Sequence, residues 1–186
     1  KGFTEAEAKA ACLAEAVERY SSCFHGEELC VQARYADFSA KAVSPKVLLQ
    51  FSERQYRDRE SWNAAHDSFQ WIPEPFEESA NLGWTPAWSL TNHKVKYVPS
   101  AYCYMGYSLN DSRFFAADSN GCATGNSLEE AILHGLLEVV ERGSVGLWWY
   151  NRVKRPEVDL DSFRDPLLIA TRENLRTTGR TLHVLD

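Results

Sequence analysis

Two short stretches carry the side chains best suited to chemistry. One reads Glu15-Ala-Val-Glu18-Arg19, the other Glu138-Val-Val-Glu141-Arg142. Residues three apart on a helix are neighbours on one face, so each stretch, if helical, sets two carboxylates side by side with an arginine after them. Adjacent carboxylates repel each other and lose hydration when packed, and arginines or bound cations must compensate. The second stretch lies in an apolar run, with Ala131-Ile-Leu-His-Gly-Leu-Leu137 before it and Val145-Gly-Leu-Trp-Trp149 after it. A helix apolar nearly all round is expected to be buried. At about 100° per residue, Asn126, Glu130, Glu138 and Glu141 fall within an arc of about 120°. If the two helices face each other, four glutamates surround one site. Carboxylate oxygens with room for water and phosphate suit Mg2+. An ATP site needs that cation to neutralise the phosphate oxygens.

A plainer reading stands beside this one. Glu-x-x-Glu-Arg on an ordinary helix is a solvated face, and Ser127 with Glu130 forms a capping box that accounts for Glu130 by itself. The preceding loop, Asp118-Ser-Asn-Gly-Cys-Ala-Thr-Gly-Asn126, could offer backbone amides to an anion. It lacks the Gly-Lys-Ser/Thr of a P-loop. The doubled motif favours a metal or phosphate site, but residue types and spacing alone leave both readings open.

The elements that must position these residues can be read in outline. Thr4 and Glu7 make a capping box, and Ala8, Cys12, Leu13, Ala16, Val17 and Tyr20 follow at helical spacing, predicting a helix over 4–20. A second, long helix is expected over 127–150 and a third over 165–178. Lys46–Leu49 reads as a short strand, 51–76 as a long surface excursion, and 181–185 as a strand. Residues 84–90 and 96–104 are rich in aromatic and β-branched types and read as neighbouring strands, with proline at edges or bulges. Interleaved helices and strands give an α+β class, with mixed sheets and packed helices.

Composition narrows the function. The chain has 186 residues, 44% of them hydrophobic, enough for one ordinary domain with a real core. It holds no apolar run long enough to span a membrane and no signal-peptide pattern at its start. A net charge of −6 without a basic stripe argues against nucleic acid. Five cysteines with no Cys-x-x-Cys spacing fit reduced thiols in a cytoplasm. Lys1-Gly2 reads as the end of a strand and turn, and 181–186 as a strand cut as it finishes, so a piece of a larger protein, truncated at both ends, is expected.

The long motifs resemble a known family. Lys1-Gly-Phe-Thr with Glu15-Ala-Val-Glu-Arg-Tyr-Ser21 is similar to the opening helix of the YcaO fold. The stretch from Asp118 to Arg142 closely resembles its second ATP-binding segment. Phe51–Tyr56, Trp71-Ile-Pro73, Trp84-Thr-Pro86, Trp148-Trp-Tyr-Asn-Arg152 and Arg155–Leu160 resemble the cyclodehydratase branch, especially the cyanobactin heterocyclases. The resemblance implies that Glu15, Glu18, Glu138 and Glu141 hold Mg2+ and that Asn126, Glu130 and Arg142 contact ATP. It implies an enzyme that activates a backbone amide with ATP, so that a Cys, Ser or Thr of a ribosomal precursor peptide closes to an azoline. A leader-peptide-recognition protein or fused domain, and a homodimer, are the implied partners.

The sequence also departs from that pattern. Ala11 stands where a serine is usual, and Gly143-Ser144 where the family commonly has Asp and a small residue. The upstream nucleotide-contacting Lys and Ser and the proline-rich C-terminus of the family fall outside these 186 residues. An isolated piece of this kind is expected to bind ATP weakly and to lack activity. Two alternatives keep the fold: a thioamide-forming enzyme that uses external sulfide, and a degenerate, partner-binding member.

Overall fold

A computed structural model describes residues 2–107, 110–115 and 117–186, so Lys1 lies outside the described residues. Among these, eight α-helices and a three-stranded antiparallel sheet make an α+β fold. Helix α1 (Glu5–Ser21) starts at Thr4, whose side chain accepts from the Glu7 N–H while Glu7 reaches back to the Thr4 N–H. The capping box seen in the sequence is therefore formed.

Strand β1 (Val31–Arg34) leads into α2 (Tyr35–Phe38). The expected strand at Lys46–Leu49 is instead α3 (Pro45–Leu49). Pro45 occupies the first turn, where its fixed φ is already helical and its missing N–H costs nothing. Gln50, at φ +53°, ends the helix in the left-handed region. The expected excursion over 51–76 contains α4 (Glu53–Arg57) and α5 (Arg59–Ala65). Ser52 and Gln55 cap α4 reciprocally. Arg59 and Asn63 of α5 donate to the Ile72 carbonyl at 3.0 Å each, tying this region into a folded unit.

Strands β2 (Asn81–Ser89) and β3 (Lys94–Pro99) form the expected pair, in the sheet order β1-β2-β3. β2 is central, yet it contains Pro86. The β1 pairing covers only 81–84, so Pro86 faces no neighbour on that side and its missing N–H is not needed. β3 stops at Pro99, and residues expected to continue it form α6 (Ser100–Cys103). The core sits on this sheet. Leu82, Trp84, Tyr107, Phe114 and Phe115 are buried together, and the Trp84 indole N–H donates to the Ala33 carbonyl at 2.9 Å.

Helix α7 (Leu128–Asn151) and helix α8 (Pro166–Thr177) occur where expected, with Asp165 capping α8. The stretch 181–185 is not a strand. A single bridge joins Leu185 to Glu157, so its extended backbone lacks the ladder a strand requires. Burial of α7 is also not observed: of its described residues only Gly135 is buried, while Leu136, Leu137, Val140, Leu147 and Trp149 are exposed. On α1 the apolar residues Leu13, Val17 and Tyr20 are exposed as well. Its partly buried face is instead Ala8, Ala11, Ala14 and Glu18, because small side chains permit the closest approach of neighbouring backbone. The chain divides into two compact units, Lys1–Val139 and Val140–Asp186, with the boundary inside α7.

Candidate nucleotide and metal site

Helix α1 and the first turns of α7 line one cleft of about 940 Å3, together with the loop that precedes α7. Four expected site residues or neighbours meet there: Glu15 and Glu18 from α1, Asn126 from the loop and Glu130 from α7. Ala11 is on its wall, so the serine usual in the resembled family would face the same space.

The loop is held against both helices. The Thr124 hydroxyl donates to the Ala14 carbonyl of α1 at 3.3 Å, and the Thr124 carbonyl lies 3.0 Å from His134 Nδ1 of α7. The Gly121 N–H donates to a Glu138 carboxylate oxygen at 2.9 Å. Gly121 has φ +84°, a conformation that favours glycine. Its carbonyl oxygen lies 2.6 Å from where a side chain on Gly135 would begin, which explains the one buried residue of α7. At the start of α7 the Asn126 N–H donates to Glu130 at 2.7 Å and the Glu130 N–H to the Ser127 hydroxyl at 3.3 Å. The backbone and side-chain amides of Asn126 hold the Glu130 carboxyl below its ordinary range.

The electrostatics gather three of the four glutamates. Partial burial raises the proton affinity of Glu18, and the like charges of Glu15 and Glu138 raise it further, against a smaller opposing pull from Arg19. Arg19 contacts Glu15 at 3.5 Å on its own helix. The Cys122 thiol is pushed up by burial and then by Glu18, Glu138 and Asp118. Glu15 and Glu138 thus bring their negative charge to bear on Glu18 from two different helices. Among the described residues no three metal-binding side chains are already close enough to hold an ion by themselves. Mg2+ does not require that, because it usually takes one or two carboxylates and completes its shell with water and phosphate oxygens. The oxygen donor set and the raised Glu18 fit such a cation.

Glu141 and Arg142 belong to the second unit, where both are exposed. That unit has its own cleft of about 820 Å3, walled by Val145, Trp148, Val153 and Leu185. Arg155 lines it but is paired with Asp186, and no cluster of carboxylates faces it. Glu15, Glu18, Asn126, Glu130 and Glu138 lie in the first unit. Sequence reasoning singled out Glu15, Glu18, Asn126 and Glu130, which line this cleft, but did not single out His134, Thr124 or the Gly121 N–H. The isolated glycine and threonine in the loop, and a histidine four residues after Glu130, were the available signals.

Comparison with known proteins places the chain. The family described as YcaO cyclodehydratase, ATP- and Mg2+-binding, matches residues 1–186. A solved heterocyclase in complex with substrate and cofactor superposes with a TM-score of 0.93 at 47% identity, over 100% of this chain and 25% of its own. The heterocyclase TruD gives 0.86 at 48% identity, over 96% of this chain and 26% of its own. The YcaO protein of Methanopyrus kandleri, solved with AMPPCP and Mg2+, gives 0.58 at 22% identity over 99% of this chain and 40% of its own, a likeness of fold alone. A protein of Methanothermobacter thermautotrophicus is 27% identical over 188 residues, all of this chain and 43% of that protein. This chain thus spans about a quarter of the length of the two heterocyclases. No helix among the described residues is long and apolar enough to cross a membrane. With the family's pattern running through all 186 residues and its fold reproduced around a pair of carboxylate helices, the chain belongs to the YcaO cyclodehydratase family.

Proposed function

We propose that this chain is the Mg2+-ATP-binding part of a peptide cyclodehydratase that makes azolines from Cys, Ser or Thr of a ribosomal precursor peptide. One observation carries the reading: Glu15, Glu18 and Glu138, from two helices far apart in sequence, share one acidic field beside an open cleft. When bound, Mg2+-ATP supplies the phosphoryl group that makes the peptide's amide oxygen a leaving group. The two pairs, Glu15 with Glu18 and Glu138 with Glu141, are assigned to Mg2+. Glu138 and Glu141 are three apart on one helix, the spacing that puts both carboxylates on one face. Asn126 and Glu130, already joined by the hydrogen bond from the Asn126 N–H to the Glu130 carboxylate, are assigned to the nucleotide, and Arg142 to the phosphates. The neutralised carboxylates remove the repulsion that the triphosphate would otherwise meet.

A peptide is the proposed substrate, supported by the similarity to a heterocyclase solved with substrate. A leader-recognition domain or protein, a homodimeric assembly and a cytoplasmic setting belong to the same proposal. The test is mass spectrometry of a Cys- or Ser-containing peptide incubated with the full-length protein and Mg2+-ATP. Loss of one water per ring supports the proposal. Exchange of oxygen for sulfur with added sulfide supports the thioamide alternative, and no change in mass supports a degenerate member. In the same protein Glu141→Gln is expected to abolish ATP turnover while the fold survives. ATPase activity near wild type in that variant removes Glu141 from the metal site.

A further inference from the structure

The loop between the two carboxylate helices is tied to each of them through one residue, Thr124. Its hydroxyl donates to the Ala14 carbonyl, the residue immediately before Glu15. Its carbonyl faces His134 Nδ1, one turn after Glu130 on α7. A carbonyl only accepts, so Nδ1 must carry the proton and donate. Two residues further along the loop is Asn126, whose N–H donates to Glu130. Between them, a Cβ on Gly125 would lie 2.5 Å from the Ala131 nitrogen, so the backbone there is pressed against the start of α7. His134 and Thr124 both line the cleft.

We infer that His134 is a positioning residue of the nucleotide site, which holds the loop 124–126 by the Thr124 carbonyl and thereby fixes Asn126 and the spacing of α1 from α7. The inference rests on the nucleotide-site reading above and extends it to residues that reading does not use. The imidazole acts through the loop backbone. Without its donor the Thr124 carbonyl is free to turn to water, and the loop loses its tie to α7 at Thr124, between the flanking bonds of Gly121 and Asn126. Binding the nucleotide must then order the loop again, and that cost appears in affinity.

The experiment is calorimetric titration of the full-length protein with Mg2+-AMPPNP, alongside steady-state KM and kcat for ATP. His134→Leu keeps the volume and removes the donor. His134→Asn places an amide N–H near the position of Nδ1. Thr124→Val removes the hydroxyl tether at nearly constant shape. His134→Leu and Thr124→Val are each expected to weaken binding about five- to tenfold, the scale of one lost hydrogen bond, with the loss falling on KM for ATP. His134→Asn is expected to recover affinity to within about twofold of wild type. A purely space-filling role predicts the reverse order for Leu and Asn. His134→Leu binding like wild type, or His134→Asn as weak as His134→Leu, overturns the inference. If His134→Leu does not fold, His134→Phe, which keeps an aromatic ring and removes the donor, takes its place, and wild-type affinity in that variant overturns the inference. A wild-type protein that binds no Mg2+-AMPPNP sinks the nucleotide-site reading and this inference with it, whereas binding by wild type and His134→Leu alike sinks the inference alone.

Discussion

Glu18 sits where two like charges and partial burial all favour its protonated form. Between the ordinary carboxylate range and its raised value, the folded chain keeps a proton that the unfolded chain has released. The metal-free protein therefore loses stability as pH rises through that window. Mg2+ relieves the same repulsion by displacing that proton, so Mg2+ affinity falls as pH drops into the window. Glu18→Gln removes the repulsion without a cation. It is expected to stabilise the metal-free protein by a few tenths of a kcal/mol, a small effect because most of the side chain is in water. It is also expected to abolish the rise in melting temperature that Mg2+-ATP gives the wild type. Thermal melts with and without Mg2+-ATP check both effects, and a Glu18→Gln protein still stabilised by Mg2+-ATP contradicts the assignment.

At the scale of elements, the site depends on how closely the loop lies on α7. Gly135 is the contact point, and Gly135→Ala brings a methyl group against the Gly121 carbonyl oxygen at 2.6 Å. The loop must shift, which costs about 1–3 kcal/mol by the usual measure of overpacking. Because Gly121 also donates to Glu138, the shift is expected to weaken Mg2+-ATP binding as well. Urea unfolding and a nucleotide titration of the same variant read the two effects, and an unchanged denaturation midpoint contradicts the packing argument. The long helices were legible in the sequence because their signals are local. Thr4 with Glu7, and the apolar residues of α1 at helical spacing, act within a turn or two. Helix α3 was not legible, since Lys46–Leu49 is as compatible with a strand as with a helix and only Pro45 argues otherwise. Helix α4 was not legible either, since a five-residue helix has too few turns to show periodicity. Glu15, Glu18, Glu138 and Glu141 stood out in the sequence as a repeated pattern. The tie of Thr124 to Ala14 was not legible, because a hydrogen bond spanning 110 residues leaves no local trace.

At the scale of the whole molecule, the sheet and the site are stabilised by different surfaces. Trp84, fully buried on β2, anchors the core, and Trp84→Ala is expected to cost about 3–5 kcal/mol and to unfold the chain under mild denaturant. Helix α7 has the opposite character, with Leu133, Leu136, Leu137, Val140, Leu147 and Trp149 exposed along it. Its sequence predicted burial, whereas these side chains stand exposed among the described residues. Expressed by themselves, residues 1–186 are therefore expected to self-associate, and a monomeric mass by light scattering across micromolar concentrations contradicts that expectation. The central claim is that two carboxylate helices form one Mg2+-ATP site. A double-mutant cycle in the full-length protein tests it most directly, with Mg2+-AMPPNP affinity measured for wild type, Glu18→Gln, Glu138→Gln and the double variant. A shared site predicts that each single change weakens binding at least about tenfold and that the double loses less than the sum, with a coupling of about 1 kcal/mol or more. Strictly additive losses, or wild-type affinity in either single variant, contradict it.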